Sequence, residues 1–224
     1  MKYLLFLTFL LISFLGYSQK DSTKNSELGL YTFGGVQIPN LKNINTFLTN
    51  NNYKHFPNEA FSGGFALYVK TKNIVNTVEI SSYNMEGRLN GNYSSLRIFT
   101  GTISVGYEIG FSDKYAIIPS LALNVYNTTI KTSVPPSKDI EYEQFVTNGS
   151  IQEEVNGTGI GIGIRLTALV TPFDKWKQFF LGVNGGYNMT TSINWKTINN
   201  KNVEKVPEGE FIGANASLIV GIKF

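Results

Sequence analysis

The 224-residue sequence has no cysteine and a single histidine, and only 16% of its residues are charged. Without cysteine there is no disulfide framework, no thiol nucleophile and no thiolate zinc site. One histidine cannot build a multi-histidine metal centre, so no metal and no cofactor is expected. The charged fraction lies well below the ~25% of ordinary soluble domains, and the net charge is only +3, with no basic block. That excludes a nucleic-acid partner held through its phosphates. Long apolar runs are also missing. After the first fifteen residues, no segment approaches the ~18 apolar residues needed by a membrane-spanning helix. If the chain enters a membrane, it must cross as strands.

What is present is glycine, 22 residues of it, and aromatics at 13%, a mixture of turn formers and strand formers. The N-terminus reads as an address. Lys2 precedes an apolar stretch from Leu4 to Leu15, broken only by Thr8 and Ser13, and Gly16-Tyr17-Ser18 supplies small residues at −3 and −1 of a cut before Gln19. This is the pattern of a cleaved secretory leader. About 12 helical residues span roughly 18 Å, too short for a ~30 Å hydrocarbon core. Residues 1–18 are therefore expected to be removed, leaving a short lead over 19–27 and one domain over 28–224. In the mature chain the nineteen Lys and Arg, less Lys2, stand against sixteen acids, so charge gives no steering.

From Leu28 onward the pattern is alternation with period two, the mark of strands with two unlike faces. Phe99, Ile103, Val105, Tyr107 and Phe111 alternate with Thr100, Thr102, Ser104 and Glu108. Ile117, Leu121, Leu123 and Val125 alternate with Ser120, Ala122, Asn124 and Tyr126. The same habit runs over 160–171, 178–188 and 212–224, and less cleanly over 28–38, 62–70 and 74–83. The total is eight strands. Their connections run long (39–61), short (70–73), medium (84–93), short (111–114), long (131–156), short (172–175) and long (193–209). Such asymmetry is expected of a transmembrane barrel, with short turns and both termini on one side.

Either face could point outward. A soluble barrel of the lipocalin type would turn its apolar face inward and carry charge freely outside. Here the polar face is mostly Gly, Ser, Thr, Asn and Gln, with Glu108, Arg165 and Lys223 its only charges in the last five strands. Small polar residues suit the narrow lumen of an eight-stranded barrel. The apolar face is nearly charge-free, with aromatics Phe99, Phe111, Tyr115, Trp176 and Phe179 near strand ends, as in a lipid-facing band. The expected fold is thus all-β, an eight-stranded antiparallel up-and-down transmembrane barrel.

The leader, the eight strands and the ending Leu218-Ile219-Val220-Gly221-Ile222-Lys223-Phe224 resemble small outer-membrane β-barrel proteins of the OmpA/OmpX-like kind. The resemblance covers about 28–224. It implies a monomeric outer-membrane protein of a Gram-negative bacterium, contacting outer-membrane lipid. It also implies that the C-terminal aromatic, here Phe224, is the signal read by the barrel-assembly machinery. The 39–61 segment departs from the pattern, being longer and more helical than the usual first loop.

Several groups could carry chemistry. Glu79, Glu108 and Arg165 all fall on lumen-facing positions, and buried charges must pair, so a Glu–Arg–Glu network is expected, as a structural core rather than a gate or proton path. His55 lies near Glu59 and Ser62, a grouping too common to mark an enzyme acting on outer-leaflet lipid; no catalytic residue is assigned. Leu41, Ile44, Phe47 and Leu48 have helical spacing, predicting a short amphipathic helix that caps the mouth or lies on the membrane. Asp139, Glu141 and Glu143, with Glu153 and Glu154, form an acidic loop that offers a surface for a basic partner or a divalent ion. The glycine run Gly157 to Gly163 enters a strand rather than a helix and is not a nucleotide motif; it leaves room for inward groups such as Tyr126. The expected function is a non-enzymatic structural or surface-interaction role through external loops. The alternatives are a lipid-modifying enzyme and a narrow solute pore.

Overall fold

The computed structural model describes residues 26–133, 152–173, 175–197 and 210–224. Within them lie β1 (Ser26–Asn40), α1 (Lys42–Asn50), β2 (Ala60–Thr71), β3 (Ile74–Leu89), β4 (Asn92–Tyr107), β5 (Ile109–Ser112), β6 (Tyr115–Ser133), β7 (Gln152–Val170), β8 (Phe179–Thr197) and β9 (Glu210–Lys223). The short β5 continues β4 past Glu108, so nine segments make eight staves. Each stave pairs antiparallel with its neighbours, β1 pairs with β9, and β4 pairs with β6. The sheet is a closed eight-stranded antiparallel barrel, and closure leaves no edge along the wall.

Alternation decides which face goes where. On β4, Leu96, Ile98, Thr100, Thr102 and Ser104 are buried in the lumen, while Phe99, Val105 and Tyr107 point outward. On β7 the outward residues are Ile160, Ile162, Ile164 and Leu166, and on β2 Phe61 and Phe65 stand out at 75% and 74% exposure. Each such side chain left in water would forgo roughly 1.5–3 kcal/mol of transfer free energy. The arrangement is the reverse of a lipocalin and suits an apolar solvent around the wall.

One end of the barrel carries tight turns. Thr71 pairs with Ile74 around Lys72, whose φ is 55°, and Ser112 pairs with Tyr115. At the third turn the Phe173 ring lies 5.9 Å from those of Trp176 and Phe179.

The opposite, loop end differs from the sequence expectation in three places. No medium loop spans 84–93: β3 and β4 stay paired to Leu89↔Asn92. Asn90 and Gly91, both at positive φ (51° and 86°), close a two-residue hairpin, for which Asn-Gly is the favoured pair. The β6–β7 ladder runs out to Ser133↔Gln152, so 131–133 and 152–156 are strand rather than loop. β8 likewise continues to Thr197. A register shift at Ile160/Gly161, which pair with Ser192 and Thr190, reverses the facing of β8, and Trp195 turns inward. The helix does form, over Lys42–Asn50, and it caps the mouth. Leu41, Ile44 and Leu48 are buried, but Phe47 is 51% exposed and does not share that face.

The lumen is filled in three layers. Under α1 lies an apolar layer in which Phe56, Leu96, Ile98 and Phe211 are fully buried, with Tyr83 and Trp195. Tyr83 Oη donates to the Phe211 carbonyl, tying β3 to β9. At the short-turn end a second apolar layer holds Tyr68, Val75, Ile118, Phe180 and Ile219. Between them sits a polar layer. Close packing across so narrow a bore needs missing side chains opposite large ones. A Cβ on Gly157 would meet the Trp195 ring at 2.8 Å, and one on Gly163 would meet Asn188 Oδ1 at 2.1 Å.

Candidate functional site

The polar layer is built from inward positions on six staves. Arg165 on β7 reaches across the bore to Glu79 on β3, with Nη1 to Oε2 at 2.5 Å and both side chains 7% exposed. The other oxygen, Glu79 Oε1, accepts from Tyr31 Oη on β1 at 2.7 Å. Arg165 Nη2 lies 3.4 Å from Thr102 Oγ1, which donates to Asn124 Oδ1 at 2.7 Å; Asn124 Nδ2 then donates to Asn188 Oδ1 at 3.0 Å. Below it, the Thr77 and Ser104 hydroxyls share a hydrogen bond. A charge removed from water costs several kcal/mol unless paired and hydrogen-bonded, and here both charges are.

The expected three-membered network is therefore corrected to a pair. Glu108 does not reach Arg165; its carboxylate meets Lys70 Nζ at 2.5 Å at the short-turn rim, half-buried. The reason is depth along the stave. Glu79 pairs with Thr102 in the ladder, whereas Glu108 lies beyond Tyr107, at the break between β4 and β5. Alternation tells inside from outside but carries no information on height in the bore. Lys70 was missed for the same reason. Tyr31, Asn124 and Asn188 were legible only as inward-facing residues, since three different staves bring them together.

Two cavities of about 30 Å³ each flank the ion pair, and Glu79, Arg165 and Asn184 line both. Each has room for one or two waters. Arg165 Nε and Asn184 Oδ1 are buried without a protein partner and are the groups such waters would satisfy. The apolar layers close both ends of this region. The arrangement braces the barrel, and among the described residues the two cavities are separated from either mouth by these apolar layers.

At the mouth, His55 is exposed beside α1, whereas Ser62 lines the lumen cavity. Among the described residues no hydrogen bond or ion pair joins His55 to Glu59 or Ser62. A general base needs its partner within hydrogen-bond reach, and these residues do not share a site. Asp139, Glu141 and Glu143 lie outside the described residues. Of the remaining loop acids, Glu154 is on β7, where its carboxylate meets Lys131 Nζ at 2.8 Å. That hydrogen bond, followed by one from Asn156, holds its carboxyl below the usual carboxylate range. Among the described residues no cluster of three or more His, Asp or Glu side chains is placed to hold a metal. At the C-terminus the Phe224 amide donates to the Leu28 carbonyl at 2.7 Å, and its ring is exposed on the wall.

No protein-family model matches the sequence, and no curated protein matches it. Among solved structures, Neisserial surface protein A is similar at 9% identity and a TM-score of 0.45, over 89% of this chain and 98% of that one. Ail, the attachment invasion locus protein of Yersinia pestis, is similar at 10% identity and a TM-score of 0.46, over 90% and 100%. A major outer membrane protein from Thermus thermophilus is similar at 9% and 0.46, over 88% and 99%. The likeness is one of fold, that of small outer-membrane β-barrels. What this barrel does must come from its own wall, lumen and loops.

Proposed function

We propose that the chain is a non-enzymatic outer-membrane β-barrel with a sealed bore, whose specific role is a surface interaction at its loop end. The observation that carries this reading is an apolar wall around a packed lumen. The wall calls for lipid outside, and the packed interior argues against transport as the purpose of the barrel. The leader expected over 1–18 would bring the chain across the inner membrane, and Phe224 would address it to the assembly machinery. The short turns and both termini then lie in the periplasm. The capped mouth, the β3–β4 hairpin and the β6–β7 extension face outward, available to a partner.

Fractionation followed by gel electrophoresis with and without heating tests the membrane part. The expected result is a membrane-bound protein whose unheated band runs faster than the heated one. A protein soluble without detergent would overturn the reading. Reconstitution into planar bilayers tests the sealed bore, and a large, reproducible single-channel conductance would refute it.

A further inference from the structure

Outside the lumen, a groove of about 760 Å³ runs between the exposed side of α1 and the outer wall of β1, β9 and β8. Its floor is the top of the apolar belt. Ile38 pairs with Ala214 and Ala214 with Tyr187, so three outward side chains stand abreast on adjacent staves. The same face continues down the wall through Val36, Ala216 and Gly185, which are again mutual ladder partners. Ala214 leaves a trough between Ile38 and Tyr187, and Ala216 with Gly185 continues it beside Val36. The roof is the polar side of α1, headed by Lys42, with His55 and Asn58 contributing from the segment that follows. Among the described residues no acid lines the groove, and Lys42 makes no ion pair.

An apolar floor continuous with the lipid-facing wall, under a roof that is cationic and rich in donors, has the two-part chemistry of an anionic lipid. We infer that the groove seats one lipid with a net-negative phosphate headgroup from the outer leaflet, its phosphate at Lys42 and one acyl chain along the Ala214–Ala216 trough. A free phosphate would use the roof and leave the floor empty; a neutral lipid would use the floor and leave Lys42 unanswered. The inference rests on the barrel standing in a membrane, as proposed above. It goes further in naming a site and a lipid class.

Native mass spectrometry of the full refolded chain, released from micelles containing phosphatidylglycerol or phosphatidylcholine of equal acyl chains, reads the site directly. The expected result is one phosphatidylglycerol retained per barrel in preference to phosphatidylcholine, undisplaced by millimolar inorganic phosphate. Lys42→Gln should lower that retention about fivefold, the worth of one cation near an anionic surface. Ala214→Trp, which fills the trough, should lower it as well. Arg97→Gln, which removes an outward cation on β4 away from the groove, should not. Equal retention of the two lipids, displacement by phosphate, or equal losses in Lys42→Gln and Arg97→Gln would each overturn the inference. If Ala214→Trp loses its heat-modifiable mobility, the Lys42→Gln and Arg97→Gln comparison decides alone. A barrel that fractionates with membranes yet fails this test refutes the groove and leaves the membrane assignment standing.

Discussion

Replacing Arg165 by Met removes one partner of the buried pair and keeps most of its volume. Glu79 then keeps a single donor, Tyr31 Oη at 2.7 Å, and loses the guanidinium that balanced its charge in a site 7% exposed. Removing one partner of such a pair costs about 3–5 kcal/mol, because the cost is that of an uncompensated buried charge. Replacing both charges, with Arg165→Met and Glu79→Leu together, leaves no orphan charge. It leaves the Tyr31 hydroxyl without its acceptor, at about 1–3 kcal/mol, while Thr102 still donates to Asn124. An apolar pair of similar volume commonly recovers some of this. The double variant should therefore be more stable than Arg165→Met by about 2 kcal/mol. Urea unfolding in lipid vesicles, followed by fluorescence from the inward Trp195, measures each difference, with conductance recorded on the same samples. The reasoning fails if Arg165→Met lies within about 1 kcal/mol of wild type, if the double variant is as unstable as the single, or if the single variant conducts.

Three further outcomes follow from particular residues. Leu48→Ala, at the plug, should cost about 2–4 kcal/mol, whereas Phe47→Ala on the same helix should change stability by no more than about 0.5 kcal/mol; equilibrium unfolding compares them. Phe224→Ser should lower the heat-modifiable fraction several-fold in cells but leave refolding into detergent micelles unchanged, which separates targeting from stability. Glu154 has a folded-state value lowered by Lys131, so its contribution is present above the ordinary carboxylate range and is lost as pH falls through that lowered value. Amide protection near Lys131 and Glu154, corrected for the intrinsic exchange rate, should fall as pH falls through that lowered value, and Lys131→Gln should weaken that dependence.

The wall was legible because period two is enforced by two unlike solvents, lipid outside and a crowded lumen inside. Phe99, Thr100 and Gly101 cannot exchange faces without placing Thr against lipid. Where that constraint lapses, so does the signal. Met85 and Leu96 face inward just as Thr102 does, yet under α1 the inner side is the apolar one while Asn84, Glu86 and Arg88 point outward, so the apolar face changes sides and β3 reads as ending early. The shift opposite Gly161 reverses the facing of β8, which broke the pattern before Trp195. Asn90-Gly91 carries a hairpin signal, but the polar residues around it resemble those of a loop. Burial of Glu79 and Arg165 followed from their facing, but whether any two lumen residues meet depends on shear, which is set by the whole ring and by no local stretch.

The polar layer acts on the wall as spokes act on a rim. Ladder hydrogen bonds join each stave only to its neighbours, whereas in the chain of contacts from Tyr31 through Glu79, Arg165, Thr102 and Asn124 to Asn188 every link but Thr102–Asn124 joins staves that share no edge. Spokes can be tensioned only after the rim has closed. Their stabilisation is thus absent from the folding transition state and falls almost wholly on the unfolding rate. A barrel braced this way gains persistence in the membrane, outlasting variants without spokes by far more than it outpaces them in folding.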